Sequence, residues 1–256
     1  MARLQEKVVI VTGGSGEIGK EAARLFLKEG AKVTLVDINE EALQQTRSEL
    51  ESFGEIISVK ADVSKESDVQ NYVQETMDRF GKIDVFFNNA GIEGKVAPII
   101  EQKVEDFEKV LSVNVIGVFL GLKHVLPVMT EQNSGSIINT SSVAGLMGSP
   151  GVSPYVTSKH GVIGLTKTAA LEAAGYQVRV NSIHPSPVEG RMMTSLEEGM
   201  NPGKGEEVHK QQTAAIPLQR YGETKDIANL VLFLASDESK FITGSQYRVD
   251  GGIGAS

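Results

Sequence analysis

Residues 8–26 read VVIVTGGSGEIGKEAARLF, and the fold turns on this stretch. Val8 to Thr12 run without charge or alternation, the pattern of a strand buried on both faces of a parallel sheet. Gly13, Gly16 and Gly19 follow, and an amphipathic segment starts among them. Glycine permits a tight turn and a close approach of backbone that a Cβ would block. The first N–H groups of the next helix lack intrahelical partners and sit at the positive end of its dipole. A buried strand, a glycine turn and a helix start therefore make a seat for a diphosphate. That setting, more than the glycines alone, suggests a dinucleotide. Gly13, Ser15, Gly16, Glu17, Ile18 and Gly19 are the candidate cofactor contacts of this turn.

The strand-then-helix rhythm continues along the chain. Short apolar runs at 7–12, 32–37, 55–62, 83–90, 135–142, 178–185 and 245–252 alternate with helix-like segments. Those segments lie at 17–29, 39–52, 65–79, 104–130, 153–174 and 224–236. Repeated β-α units joined by right-handed crossovers give a doubly wound parallel sheet. The expectation is an α/β fold, a single Rossmann domain over 1–256 with about seven parallel strands and helices on both faces. Ligands of such sheets lie beyond the carboxyl ends of the strands.

Two places break the rhythm. Residues 187–213 are polar and rich in glycine, and a long connection of this kind reads as a lid over the site. Met192, Met193, Leu196 and Met200 would line its underside. Segment 104–130 is apolar nearly all round, through Val110, Leu111, Val113, Val115, Ile116, Val118, Phe119 and Leu120. Such a helix is covered on both sides, by the sheet and by a second subunit, so an oligomer is expected, taken as a homotetramer.

A length of 256 residues suits one large domain and is short for two. The formal charge of −8 argues against nucleic acid, because phosphate binding needs a basic face. No basic amphipathic stretch marks a membrane surface. The apolar stretch 110–122, cut by Ser112, Asn114, Gly117 and Gly121, is short for a bilayer crossing. The start, MARLQEKVVIVTGG, runs straight into a strand with no signal-type apolar region. With no cysteine, disulfides and thiolate metal sites are excluded, and a reducing cytoplasm is the expected compartment. His124, His160, His184 and His209 show no metal-ligand spacing, so no metal is expected.

The chemistry concentrates further along. In PYVTSKHG, Tyr155 and Lys159 stand four apart and share a helix face, and Ser142 ends an apolar run thirteen residues upstream. A phenol titrating near pH 10 is a poor acid or base at pH 7, and a neighbouring ammonium should lower its pKa. Taken alone, such a pair is usually an aromatic packed beside a solvated lysine. Asp37 ends the second run, eighteen residues after Gly19. Its carboxylate can accept hydrogen bonds from adenosine ribose hydroxyls and repel a 2′-phosphate, with no cation at Ile38 or Asn39 to offset it. It can also cap the following helix.

Thr12-Gly13 with the glycine turn, Asn88-Asn89-Ala90-Gly91, Asn114, Ser142, Tyr155-x-x-x-Lys159 and Pro185 together resemble the short-chain dehydrogenase/reductase family, over residues 5–252. The segments NNAGIEGKVAP (88–98), GVFLGLKHVLP (117–127) and LQRYGE (218–223) look most like its levodione reductase-like branch of bacterial cyclic alcohol dehydrogenases. The resemblance implies an NAD(H)-dependent oxidoreductase interconverting a small apolar ketone and a secondary alcohol. It implies Tyr155 as acid/base, Lys159 as the group that lowers the Tyr155 pKa and holds the nicotinamide ribose, and Ser142 as the donor to the substrate oxygen. Asn114 would hold a water linking Lys159 to solvent; from the residues alone it reads equally as a buried amide at a helix kink. Asp62 and Val63 are assigned to adenine, and Asn89, Ala90 and Gly91 to the adenosine half, with Asn89 also bracing the sheet. Pro185 and Val188 are assigned to the nicotinamide, the Val188 amide reading its carboxamide.

Three positions depart from the family pattern: Glu17 in the glycine turn, Ser186 after Pro185, and Glu189-Gly190 where a hydroxyl residue is common. An acid at a helix start gains from the dipole, yet the same end should hold a diphosphate, and two anions repel. A Glu17 side chain turned into solvent would leave that repulsion mostly screened. Two other functions stay open. A non-catalytic NAD(H)-binding regulator would have no need of the Ser142–Tyr155–Lys159 set. An epimerase or dehydratase that retains its NAD would need a larger substrate domain after residue 185.

Overall fold

A computed structural model describes residues 2–255. The opening stretch forms strand β1 (Val8–Thr12) and helix α1 (Glu17–Lys28). Then come β2 (Lys32–Asp37), α2 (Glu40–Leu50), β3 (Ile56–Lys60), α3 (Glu66–Phe80) and β4 (Val85–Asn88). The second half runs α4 (Val104–Leu111), α5 (Gly117–Gln132), β5 (Gly135–Thr140), α6 (Ser153–Ala173) and β6 (Val178–Pro185). It ends with α7 (Arg191–Met200), α8 (Gly205–Ala215), α9 (Thr224–Ala235) and β7 (Gln246–Val249). All strand pairs are parallel, in the order β3-β2-β1-β4-β5-β6-β7. The chain winds outward from β1, returns to β4 and winds outward again, which opens a crevice beyond the carboxyl ends of β1 and β4.

The uninterrupted apolar strands are explained by a core on each face. Val9 and Val11 face Ala22, Ala23 and Phe26 of α1 and Ile227 and Val231 of α9. Ile10, between them, faces the opposite layer, built from Tyr72 of α3, Val118 and Val125 of α5 and Val162 of α6. Fully burying an aliphatic side chain contributes about 1.5–3 kcal/mol of transfer free energy, so both layers hold the sheet without help from alternation.

The strands stop earlier than the apolar runs suggest. The runs 55–62, 83–90 and 245–252 narrow to Ile56–Lys60, Val85–Asn88 and Gln246–Val249, because residues past the carboxyl ends leave the ladder to build loops. The helical run Val104–Gln132 is 29 residues long, well beyond the apolar stretch read at 110–122. Its inner face, Val118, Leu122, Val125 and Met129, packs into the core, and a one-turn π-helix at Ser112–Ile116 joins α4 to α5. Ile116 and Phe119 stay 47% and 44% exposed. Residues 187–213 hold two helices, α7 and α8, where the sequence reads as a polar insertion; Met192, Leu196 and Met200 give α7 an apolar period among polar residues and glycines, whereas α8 has only a weak one.

Candidate active site

The glycine turn has the geometry its sequence requires. Gly13 adopts φ 64°, and a Cβ there would press on Ala90 and Asn89 at 3.1 Å. A Cβ at Gly19 would collide with the Gly13 carbonyl oxygen. Gly16 is the N-cap of α1 and brings no side-chain cap, so the first N–H groups of α1, from Glu17 and Ile18 onward, open at the crevice. An anion of diphosphate size fits this cradle by backbone chemistry alone.

Asp37 closes one side of the turn. Its two carboxylate oxygens accept the N–H groups of Ser15 and Asn39, each at 3.1 Å. Asn39, not Asp37, caps α2, through its Oδ1 and the Ala42 N–H at 3.1 Å, so the capping role read for Asp37 falls away. The remaining lone pairs of Asp37 stay available to hydroxyl donors. Asp62 accepts both the N–H and the hydroxyl of Ser64, at 3.0 and 2.6 Å. Burial pushes its pKa up, but these bonds and the nearby Lys65 outweigh that and hold it below the ordinary value. Val63 is buried against α5, where a Cβ at Gly117 would meet it at 2.9 Å.

Asn89 ties three strands together. Its side chain donates to the Thr12 carbonyl at 3.1 Å and accepts from the Thr140 hydroxyl at 3.1 Å, while the N–H groups of Asn89 and Ala90 both donate to Thr12 Oγ1. The brace read from the sequence is present, and it fixes Ala90 and Gly91 against the glycine turn.

Tyr155 and Lys159 lie one turn apart on α6, and Ser142 follows β5. The loop after β5 is clamped to α6 by the Ser141 hydroxyl, which donates to the Lys159 carbonyl at 2.8 Å. Gly145 allows that approach, since a Cβ there would lie 2.7 Å from the same carbonyl oxygen. His184, fully buried, donates from Nδ1 to the Ser142 carbonyl at 2.9 Å; its Nε2 then accepts from the Ser182 hydroxyl at 2.9 Å. Asn114 sits in the π-helical turn with no exposed surface. Its amide exchanges bonds with the backbone of Ile92, at 2.8 and 2.9 Å, and donates to Ser158 at 3.0 Å. A Cβ at Gly91 would meet Asn114 Oδ1 at 3.2 Å and Lys159 Nζ at 3.5 Å, so these two side chains converge on one spot.

The electrostatics differ from the sequence reading. Lys159 Nζ lies 5.4 Å from the Tyr155 ring centre and donates to the Thr140 carbonyl at 2.8 Å. Burial pulls its pKa down to about 8. Burial likewise pushes the Tyr155 phenol up to about 12; the Ser142 hydroxyl opposes this, and the Glu93 carboxylate adds to it. The expected lowering of the phenol by Lys159 is absent, because desolvation outweighs an ammonium whose bond is spent on a backbone carbonyl.

Pro185 ends β6, and its carbonyl accepts from Ser142 Oγ at 3.4 Å. Val188 forms an isolated bridge to Gly222, in which the flanking Pro187 carbonyl and Glu189 N–H are used. The Val188 N–H makes no hydrogen bond among the described residues. Two residues that the sequence reading passed over belong to this region. Arg191 pairs with the buried Glu93 at 3.1 Å, joining α7 to the loop after β4. Nothing in their local sequence announces the contact, since they stand 98 residues apart. Gly199 and Gly151 both pack on Val96, at 2.8 and 3.2 Å from an added Cβ, so α7 closes on that loop at a second point.

The chain belongs to the short-chain dehydrogenase/reductase family of oxidoreductases. A family model described as Enoyl-(Acyl carrier protein) reductase matches residues 14–254. The chain is 40% identical over 256 residues to levodione reductase of Leifsonia aquatica, covering 99% of this chain and 96% of that protein. It is 36% identical over 250 residues to cyclohexanol dehydrogenase of an Acinetobacter species, covering 97% and 95%. The crystal structure of levodione reductase matches with a TM-score of 0.97 at 39% identity, over 99% of this chain and 100% of that one. NAD+-bound xylitol dehydrogenase matches with a TM-score of 0.93 at 37% identity, over 98% and 100%.

Proposed function

We propose that this protein interconverts a small apolar ketone and a secondary alcohol with NAD(H), using Tyr155 as acid/base. The observation that carries the reading is the convergence of Lys159, 5.4 Å from the Tyr155 ring centre, and the Ser142 hydroxyl on Tyr155, next to a glycine cradle open to an anion. The relatives named for levodione and cyclohexanol support the substrate class, and the NAD+-bound neighbour supports the cofactor. Bound NAD(H) would supply or take up the hydride. Gly13, Ser15, Gly16, Ile18 and Gly19 would hold its diphosphate, Asp37 its adenosine ribose, and the free Val188 N–H its carboxamide, with Asp62, Val63, Asn89, Ala90, Gly91 and Pro185 along the remaining walls.

The chain's own groups then do the proton chemistry. A phenol held near 12 is protonated at physiological pH, so Tyr155 is set to donate to a carbonyl oxygen. Ser142 Oγ, facing the same space, donates to that oxygen and fixes its position. Lys159 keeps its ammonium below about pH 8 and places a positive charge under the pair. Asn114 holds the Ile92 backbone, and with it the edge of the cleft, in place. Residues 187–213 act as the lid of a single catalytic domain, and the exposed Ile116 and Phe119 would be covered in a homotetramer. The absence of cysteine suits work in the cytoplasm.

A panel of cyclic ketones and secondary alcohols, followed by nicotinamide absorbance with NADH and NADPH, tests this. The expected result is NADH-dependent ketone reduction, favoured over NADPH at least tenfold, or about 1.4 kcal/mol. Asp37→Ser should relax the preference. Equal turnover with NADPH would sink the role of Asp37. NADH binding with no turnover on any ketone or alcohol would favour a non-catalytic regulator.

A further inference from the structure

Glu17 stands where the glycine turn enters α1, and its side chain, though exposed, is tied down rather than free. The carboxylate crosses to the lid, where Oε1 accepts the backbone N–H of Arg191, the first residue of α7, at 2.9 Å. Gly190 precedes it at φ 150°, and a Cβ there would lie 2.9 Å from the Glu17 carboxyl carbon. The N-cap of α7 is Gly190, which brings no side-chain cap, so a residue 174 positions away supplies the anion that this helix end favours. No cation neutralises that carboxylate among the described residues. The Arg191 guanidinium is paired with Glu93, and Lys20, on the first turns of α1, with Glu49.

We propose that Glu17 is a latch that tethers the lid to the dinucleotide turn and competes with the cofactor's diphosphate. The carboxylate holds α7 in the cofactor-free protein and leaves as a second anion arrives at the N-terminus of α1. The proposal rests on the reading of the turn as an NAD(H) seat. Both anions would lie on the same short turn, within the Debye length of about 8 Å at physiological salt, so their repulsion survives screening. Its removal should tighten binding by about three- to tenfold at low salt.

The test uses the full-length protein as wild type, Glu17→Gln and Glu17→Gly. Glu17→Gln keeps an acceptor for the Arg191 N–H and loses the charge; Glu17→Gly loses both. Without cofactor, amide exchange at Arg191 should quicken about tenfold in Glu17→Gly and less in Glu17→Gln, following the loss of a partner at a helix end. In calorimetric titration both variants should bind NADH more tightly than wild type at low salt. That gap should close at about 1 M salt, where the Debye length falls to about 3 Å. NADH bound by wild type and Glu17→Gln with equal affinity at low salt, or Arg191 exchange unchanged in Glu17→Gly, overturns the latch and leaves the cofactor reading standing. If no version binds NADH or NADPH at millimolar concentration, the cofactor reading falls and the latch with it.

Discussion

On the floor of the cleft, Asn88, Asn139, Ser158, Lys159 and His184 are all buried, and each polar head is held by the fold itself. Asn88 donates to Asn139 Oδ1 at 3.2 Å, and Asn139 donates to Thr166 at 3.0 Å. The lid is built otherwise. Within it, buried Glu197 pairs with His209 at 3.1 Å, which joins α7 to α8, and Glu197 also accepts from Tyr221, outside the segment, at 2.8 Å. The lid meets the rest of the chain through Tyr221, the Val188–Gly222 bridge, the contacts of Arg191 to Glu17 and Glu93, and the packing of Gly199 on Val96. Exposed ion pairs contribute little, about 0–1 kcal/mol each, whereas leaving a buried polar group unpaired costs about 1–3 kcal/mol. The floor is therefore fixed throughout by penalties for disorder, while residues 187–213 mix buried anchors at Glu93 and Glu197 with the exposed contact of Glu17.

The sharpest way to break this contrast is Tyr155→Phe. If the floor performs the proton transfer, the variant should lose ~10²–10⁴-fold in turnover while its melting temperature and NADH affinity hold. Retention of more than half the wild-type rate would remove Tyr155 from the chemistry.

A second measurement probes the floor by pH. Burial depresses the Lys159 pKa to about 8, so its charge is present below that pH and lost above it. In the reduction direction kcat/KM should accordingly fall above about pH 8, approaching tenfold per unit. Tyr155, near 12, remains protonated throughout and does not contribute to the limb. A profile flat to pH 10 would show that the Lys159 charge is not needed in the free enzyme.

The smallest effect belongs to the lid. Met192→Leu and Met193→Leu conserve volume, and such swaps usually cost under 1.5 kcal/mol. They should shift relative rates among ketones by a few fold and leave the NADH dissociation constant unchanged. Affinity shifted with selectivity intact would place these side chains on the cofactor.

Much of this was legible in the sequence, for a local reason. The apolar runs within Val8–Thr12, Lys32–Asp37 and Val85–Asn88 determined a sheet buried on both faces, because only such a sheet has no polar side to satisfy. Gly13 and Gly19 determined the turn, because Gly13 takes φ 64° and a Cβ at Gly19 would collide with backbone. The i, i+4 spacing of Tyr155 and Lys159 determined a shared helix face. What the spacing left open was where each head group goes. Lys159 turns to the Thr140 carbonyl, and the phenol rises toward 12 rather than falling, since desolvation depends on everything packed around a group. Helix α8 was also hidden, because it has little apolar period of its own, while α7 carries one at Met192, Leu196 and Met200 within a polar, glycine-containing stretch. Only the tertiary structure sends Glu17 to Arg191 and Arg191 to Glu93, pairs 174 and 98 residues apart. Local patterns carry the geometry of elements, while charge pairing across a cleft is set by which surfaces the fold brings face to face.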